Sequence, residues 1–181
     1  YMSLKRYDQA IDLFISLNEN ASSERERDQA QEGLMMAYYA ISDVEKSFLI
    51  AQEISENVSL SESKRNLGAL YLLRISMNRL EYDKALLLAE SLIENADNLT
   101  AAEAAFLIAQ IRYKQDDFAA SIEQCIILLG KYGLYEQWTD KTYLLLVNNY
   151  MASGELLQAK ATVNSILDNT ENDTLKIKAL D

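Results

Sequence analysis

The sequence predicts an all-α protein, a solenoid of antiparallel helix hairpins, on three observations. Proline is absent from all 181 residues, where an average share of about 5% would place roughly nine. Proline punctuates loops and breaks helices, so a chain without it has little irregular backbone to punctuate. Glycine, at 5, is scarce too. The second observation is a recurring pattern: an aromatic or aliphatic residue, two mostly polar ones and a small one, followed by apolar positions four and seven further on. The small residues stand at 10, 47, 85, 121 and 159, with spacings of 37, 38, 36 and 38 residues. Intervals this regular mark a repeat protein. Third, apolar residues at three- and four-residue steps precede each small residue, so each unit holds two amphipathic helices.

The elements follow in order. Tyr7-Asp8-Gln9-Ala10 with Phe14 and Leu17 is a second helix, and residues 1–19 form a partial repeat. Tyr1 precedes Ala10 by nine residues, as Tyr38 precedes Ser47 and Tyr150 precedes Ala159, so the chain opens inside a first helix. Asn18 to Glu26 is a polar joint. The repeat at 27–57 places a helix from Arg27 to Ile41, a turn at Ser42-Asp43, and Val44-Glu45-Lys46-Ser47 with Ala51 and Ile54. The repeat at 62–95 runs from Ser63 to Met77, turns at Asn78-Arg79 and continues through Tyr82-Asp83-Lys84-Ala85 with Ala89 and Leu92. After Asn95 to Asn98, the repeat at 100–131 sets Ala101 to Tyr113 before Gln115-Asp116-Asp117, then Phe118-Ala119-Ala120-Ser121 with Cys125 and Leu128. The repeat at 135–169 sets Asp140 to Ala152 before Ser153-Gly154-Glu155, then Leu156-Leu157-Gln158-Ala159 with Val163 and Ile166. Residues 173–181 begin a further helix, so residues 1–181 read as one repeat domain excerpted from a longer solenoid. Leu175, Ile177 and Leu180 are expected to be exposed there and to favour end-to-end self-association.

Local chemistry supports these boundaries. Asp or Ser at a joint can cap the helix that follows. The small residue belongs where the two helices of a hairpin cross, because Ala or Ser lets the backbones approach. Ala85→Leu is then expected to overpack the crossing at a cost of about 1–3 kcal/mol, read as a lowered melting temperature.

Composition excludes several functions. Hydrophobic residues at 49% and charged residues at 25% suit a chain with a folded core. Lys plus Arg at 17 against Asp plus Glu at 28 gives a net charge of −11, which disfavours nucleic acid as a partner. There is no histidine and one cysteine, Cys125, so Ser-His-Asp and Cys-His catalysis, a disulfide and the common zinc sites are all out of reach. The longest apolar run, Leu34 to Ile41, is far short of the roughly 20 residues of a membrane span. Tyr1-Met2-Ser3-Leu4-Lys5-Arg6 lacks the form of a signal peptide. No catalytic residues, no cofactor and no metal are expected.

Three segments carry a likeness to a known family: Arg79-Leu80-Glu81-Tyr82-Asp83-Lys84-Ala85-Leu86, Tyr113-Lys114-Gln115-Asp116-Asp117-Phe118-Ala119-Ala120-Ser121-Ile122, and Tyr150-Met151-Ala152-Ser153-Gly154-Glu155-Leu156-Leu157-Gln158-Ala159. They resemble the tetratricopeptide repeat (TPR), and the resemblance extends over essentially the whole chain. The chain departs from the family in a period above the usual 34 residues, the absence of a closing proline, and a turn glycine kept only as Gly154. Longer joints between repeats account for the first two. HEAT-type and other α-solenoids are the structural alternative. Trp138 to Asn169 resembles repeat proteins of the bacterial cell envelope, which favours periplasm or envelope over cytoplasm.

The resemblance implies a right-handed superhelix with a concave groove lined eight and eleven residues before each small residue. The eight-before set is Met2, Tyr39, Met77, Tyr113 and Met151, and the eleven-before set is Met36, Arg74, Gln110 and Asn148. Met and Tyr offer adaptable apolar contact for a helical or extended peptide, and polar neighbours fix its orientation. The competing reading is that these side chains pack against adjacent repeats. Some family members grip a C-terminal carboxylate with Lys, Arg and Asn. Arg74, Lys114, Lys141 and Asn148 are the candidates here, but the combination does not match, so an acidic or C-terminal peptide is not the expected ligand.

Other motifs have simpler readings. Asp168-Asn169-Thr170-Glu171-Asn172-Asp173 looks like a calcium loop, yet Asp173 replaces the needed glycine and Ala179 the bidentate Glu, leaving a solvated joint. Asp116-Asp117 and Glu53 with Glu56 are surface carboxylates of an acidic chain. Cys125 sits where Phe14 and Ala89 sit elsewhere, a small core residue with no cation to activate it. Asn20, Asn57, Asn98 and Asn172 open short glycosylation-type matches of a kind an Asn-rich chain produces by chance. The expected function is a non-catalytic scaffold for a protein or peptide partner. The alternative is a structural or oligomerisation segment with contacts at its ends.

Overall fold

The computed structural model describes residues 2–170 and 172–180, apart from the side chains of residues 2–5, 98, 169 and 180. The described residues form ten α-helices and no strand. They are α1 (Met2–Glu19), α2 (Glu24–Ala40), α3 (Val44–Glu56), α4 (Glu62–Asn78), α5 (Tyr82–Asn95), α6 (Asn98–Lys114), α7 (Phe118–Tyr132), α8 (Glu136–Ala152), α9 (Leu156–Asn169) and α10 (Asp173–Leu180). Two compact units divide within α5, residues 1–88 and 89–181. Within each, most packed helix pairs are consecutive in the chain, and in the second unit α6 also meets α8 and α8 meets α10.

First helices begin earlier than the apolar period suggests, because their opening turns are polar; side chains cap α2 and α6, whereas α4 and α8 open without a side-chain cap. Ser23 Oγ accepts from the Glu26 N–H at 3.3 Å, and the Glu26 carboxylate accepts from the Ser22 N–H at 2.7 Å, closing a reciprocal cap on α2. Asp97 Oδ1 accepts from the N–H groups of Leu99 and Thr100, both at 2.9 Å, to open α6. Asp43 and Asp117 cap α3 and α7 in the same way, accepting from Lys46 and Ala120 N–H.

The four hairpin turns share one geometry. Ser42, Leu80, Asp116 and Gly154 are left-handed, with φ of 65°, 60°, 60° and 79°. Each donates its N–H three residues back, to the carbonyls of Tyr39, Met77, Tyr113 and Met151, and the following residue donates to a carbonyl five back. This is a helix stop of the Schellman type, which satisfies the last carbonyls of each first helix. The turn expected at Asn78-Arg79 lies one residue later: Asn78 ends α4, and Leu80 takes the conformation glycine usually takes.

In the unit of residues 1–88, Ser47, Ala51 and Ile54 are buried on α3 at the expected spacing. The Ser47 hydroxyl donates to the Met35 carbonyl at 3.0 Å, which places the small residue against the α2 backbone. Ala85 is fully buried, whereas Ala10 on α1 is only half-buried. Glycine supplies two close approaches: a Cβ at Gly33 would run into the Phe14 ring, and one at Gly68 would lie 2.8 Å from the Ala51 carbonyl oxygen. Met35, Ala51, Ile54, Tyr71 and Leu72 form the core between α2, α3 and α4.

In the unit of residues 89–181, the Ser121 hydroxyl donates to the Ala109 carbonyl at 2.8 Å, the counterpart of Ser47. Cys125 and Leu128 are fully buried among Ala102, Ala105, Phe106, Trp138, Leu145 and Leu146. On α10, Leu175 is not exposed as its place near the end of the sequence suggests. Leu175 is buried with Ile166 and Ala179, because α10 turns this face onto α8 and α9. Ile177 is exposed, and the Leu180 side chain lies outside the described residues.

Candidate partner-binding face

The side chains expected to line a groove sit on the last turns of the first helices. The hairpin turn positions them: the carbonyls of Tyr39, Met77, Tyr113 and Met151 each accept the N–H of the left-handed residue, fixing the helix end that carries the side chain. Positions three apart on a helix share a face, so Met36 lies beside Tyr39, Arg74 beside Met77, Gln110 beside Tyr113 and Asn148 beside Met151.

In the first unit, Met36 on α2 is 46% exposed. Tyr39 is half-buried. Its ring meets that of Tyr71 edge-on, with centroids 5.3 Å apart and planes at 88°, and its hydroxyl accepts from Asn78 Nδ2 at 3.3 Å. The Arg74 guanidinium lies 4.8 Å from the centroid of the same Tyr71 ring. Tyr71 therefore positions both neighbours, and sequence reasoning missed it. The available signal was its place one turn before Arg74 on the same helix face. Met77 is half-buried. Lys64 on α4 reaches Asp28 at 2.8 Å and Glu32 at 3.3 Å on α2, and the hydrogen bond with Asp28 holds its ammonium above the ordinary lysine value.

In the second unit, Lys114, Asn148 and Met151 are exposed, Met151 by 56%. Gln110 is half-buried, as is Tyr113, whose ring lies 5.8 Å from that of Phe118 at 54°. Lys141 is drawn to a different feature: its Nζ sits 4.0 Å from the Trp138 ring centroid and 6.0 Å from that of Phe106. These two rings are themselves 5.6 Å apart. A cation over an aromatic face gains about 0.5–1 kcal/mol where exposed, so Lys141 has a structural occupation. The Met2 side chain lies outside the described residues.

The remaining candidates are tied to local structure. Burial pushes the Cys125 thiol up to about 12 despite the Ser121 hydroxyl, so the thiol stays protonated. Glu53 accepts from Gln31 and Glu56 from Gln52. Asp116 forms the turn and Asp117 caps α7. Asn20 donates to the Ser16 carbonyl, Asn57 accepts from the Ser59 N–H, and Asn172 spans to Asp140 at 2.7 Å. The side chains of Asn98 and Glu171 lie outside the described residues. Among the described residues, no group of three or more His, Cys, Asp or Glu side chains stands close enough to hold a metal. No described helix is long and apolar enough to cross a membrane.

No protein-family model matches the sequence, and no curated protein matches it. The structure is similar to a crystal structure described as nearly identical TPR-like repeats of a putative kinesin light chain of Podospora anserina. The match has a TM-score of 0.71 at 13% identity and covers 93% of this chain and 88% of that one. The fold is a TPR-like repeat solenoid. At that identity the likeness extends to the fold alone, which commonly serves as a scaffold for protein partners and is typically non-catalytic.

Proposed function

We propose that the chain is a non-catalytic scaffold that binds a protein or peptide partner along the ends of its first helices. The observation that carries this is the exposure of Met36 and Met151, 46% and 56%, at the register positions singled out for binding. Thioethers adapt to varied apolar surfaces, and Gln110, Lys114, Asn148 and Arg74 supply polar neighbours that orient a partner. Tyr39 and Tyr113 are held by Tyr71 and Phe118, so they present a fixed surface and lose little freedom on binding. We place that partner in the bacterial cell envelope on the sequence resemblance of Trp138 to Asn169 alone.

The test is affinity capture with the wild-type chain and a variant carrying alanine at Tyr39, Met77, Tyr113 and Met151. Loss of a captured protein by a variant with an unchanged helical spectrum supports the reading. Equal capture by both moves the site off these helix ends. A second reading, assembly through the end of the solenoid, draws support from Ile177, which is 61% exposed on α10. A mass that grows with concentration, and stops growing in Ile177→Ser, would favour it.

A further inference from the structure

The second unit contains a polar tie that crosses three helices in a fully buried setting. Asn149 on α8 donates through Nδ2 to the Ser121 hydroxyl on α7 at 2.9 Å, and that hydroxyl donates to the Ala109 carbonyl on α6 at 2.8 Å. The second Nδ2 proton goes to the Leu145 carbonyl at 2.8 Å. Asn149, Ser121 and Ala109 are all 0% exposed. Asn149 Oδ1 is buried too and has no hydrogen-bond partner, so the amide is held at a cost an apolar residue would avoid. Ten residues before each small residue, the register holds Ala37, Ile75, Ile111 and then Asn149. Three hairpins fill this buried position with a hydrophobe, and one with an amide. Ser47 makes the same bond to its own first helix, at 3.0 Å to Met35, but Ile75 on the next hairpin offers it no second partner.

Repeats of near-identical shape have a characteristic failure: a hairpin docks on the wrong neighbour, within the chain or in another copy. A hydrophobic contact accepts any apolar face, whereas a buried amide rejects a neighbour that leaves it unpaired. We propose that Asn149 is a register key, an amide that seats the α8/α9 hairpin on α6/α7 through Ser121 and disfavours every other docking. Its consequence for the candidate face is direct. Asn149 adjoins Asn148 and lies two residues before Met151, so the tie sets the offset of those side chains against Gln110 and Tyr113 on α6. The key stands whether or not that face binds a partner.

The full chain tests this with Asn149→Ile, Ser121→Ala and the double variant. Each is unfolded in urea, diluted back at high protein concentration and measured by light scattering. Ser121→Ala strands the amide, so its unfolding midpoint falls. Asn149→Ile leaves Ser121 bonded to Ala109, so its midpoint stays level or rises, and the double variant recovers most of what Ser121→Ala loses. The decisive readout is the refolded population: Asn149→Ile is expected to yield several-fold more exchanged dimer and higher species than wild type. Two results overturn the proposal. One is a refolded Asn149→Ile as uniformly monomeric as wild type. The other is a midpoint in Asn149→Ile as low as in Ser121→Ala, which would make the tie an ordinary stabilising bond.

Discussion

Gly68 in the first unit and Thr142 in the second occupy the same register, seventeen residues before Ala85 and Ala159, and both are buried. At Gly68 the helices meet backbone to backbone: an added Cβ would stand 2.8 Å from the Ala51 carbonyl oxygen and 2.9 Å from the Ser55 nitrogen on α3. At Thr142 a branched side chain fits in the interior, 0% exposed, with its hydroxyl turned back to the Trp138 carbonyl at 2.7 Å. Ala30 and Ala104, at the same register, are also fully buried. The repeat period therefore dictates which residue faces the neighbouring helix, and the volume of that residue sets how closely the helix approaches. A solenoid built on one period can thus vary its stacking locally.

Exchanging the two residues breaks the comparison most severely. Gly68→Thr puts three heavy atoms where α3 backbone already stands, and backbone cannot swing away as a side chain can. A loss of about 3 kcal/mol in urea unfolding is expected, at the upper end for overpacking. The converse, Thr142→Gly, leaves room unfilled and adds a flexible residue inside α8. About 1 kcal/mol for glycine in a helix and about 1 kcal/mol for lost apolar contact give a loss of about 2 kcal/mol. A tolerated Gly68→Thr would mean that α4 does not lie on α3 as closely as described.

The period and the small residues of each repeat were legible because they recur, and recurrence survives variation in any one repeat. Ser47, Ala85, Ser121 and Ala159 are all buried where the pattern placed them. What escaped notice depended on a single residue in a single repeat. Gly68 in a helical pattern reads only as a weak helix former, since the approach it permits is a property of the partner backbone. Leu80 carries no turn signal, and the polar pair Asn78-Arg79 points to a turn one residue too early. Asn148 and Asn149 are the same residue type side by side, yet one is exposed and the other fully buried, which the register alone distinguishes. The proposed face depends on contacts no repeat pattern shows: Tyr39 and Tyr113 lean on Tyr71 and Phe118, while Met36 and Met151 project. Sequence gives the face a side chain occupies, and the neighbours that bury part of it come from another helix.

The hairpin turns sharpen the comparison in the opposite direction, because here the two units agree. Leu80 and Gly154 share the left-handed conformation, at φ 60° and 79°, with leucine in one unit and glycine in the other. A side chain costs about 1–2 kcal/mol in that region, and glycine relieves it while loosening the unfolded chain. Leu80→Gly is expected to stabilise by about 1 kcal/mol, the more readily because Leu80 is 68% exposed and little packing is lost. Gly154→Ala, with nothing near its Cβ position to clash, isolates the conformational term and is expected to destabilise by about 1 kcal/mol. Thermal melts of both variants should move in opposite directions. A shift of the same sign in both would show that the two turns are not equivalent.

The smallest effect concerns the position four residues after the small residue, held by Ala51 in the first unit and Cys125 in the second, both fully buried. Alanine has no proton to lose there, but cysteine does. Burial raises the Cys125 thiol from 9.0 to about 12 in the folded chain, so folding favours the protonated form. A raised value means that the contribution of this thiol is complete below the unfolded pKa and is lost as pH climbs from about 9 towards 12. Up to about pH 9.5 the loss stays below about 1 kcal/mol. Cys125→Ala makes the second unit match the first at this position, and tyrosines and lysines common to both proteins cancel in the difference. The stability difference between wild type and Cys125→Ala should be constant from pH 7 to pH 8.5 and then shift against the wild type. A flat difference to pH 9.5, or rapid alkylation of the native thiol at pH 8, would mean that water reaches Cys125 and that the α6/α7 crossing is looser than its counterpart at Ala51.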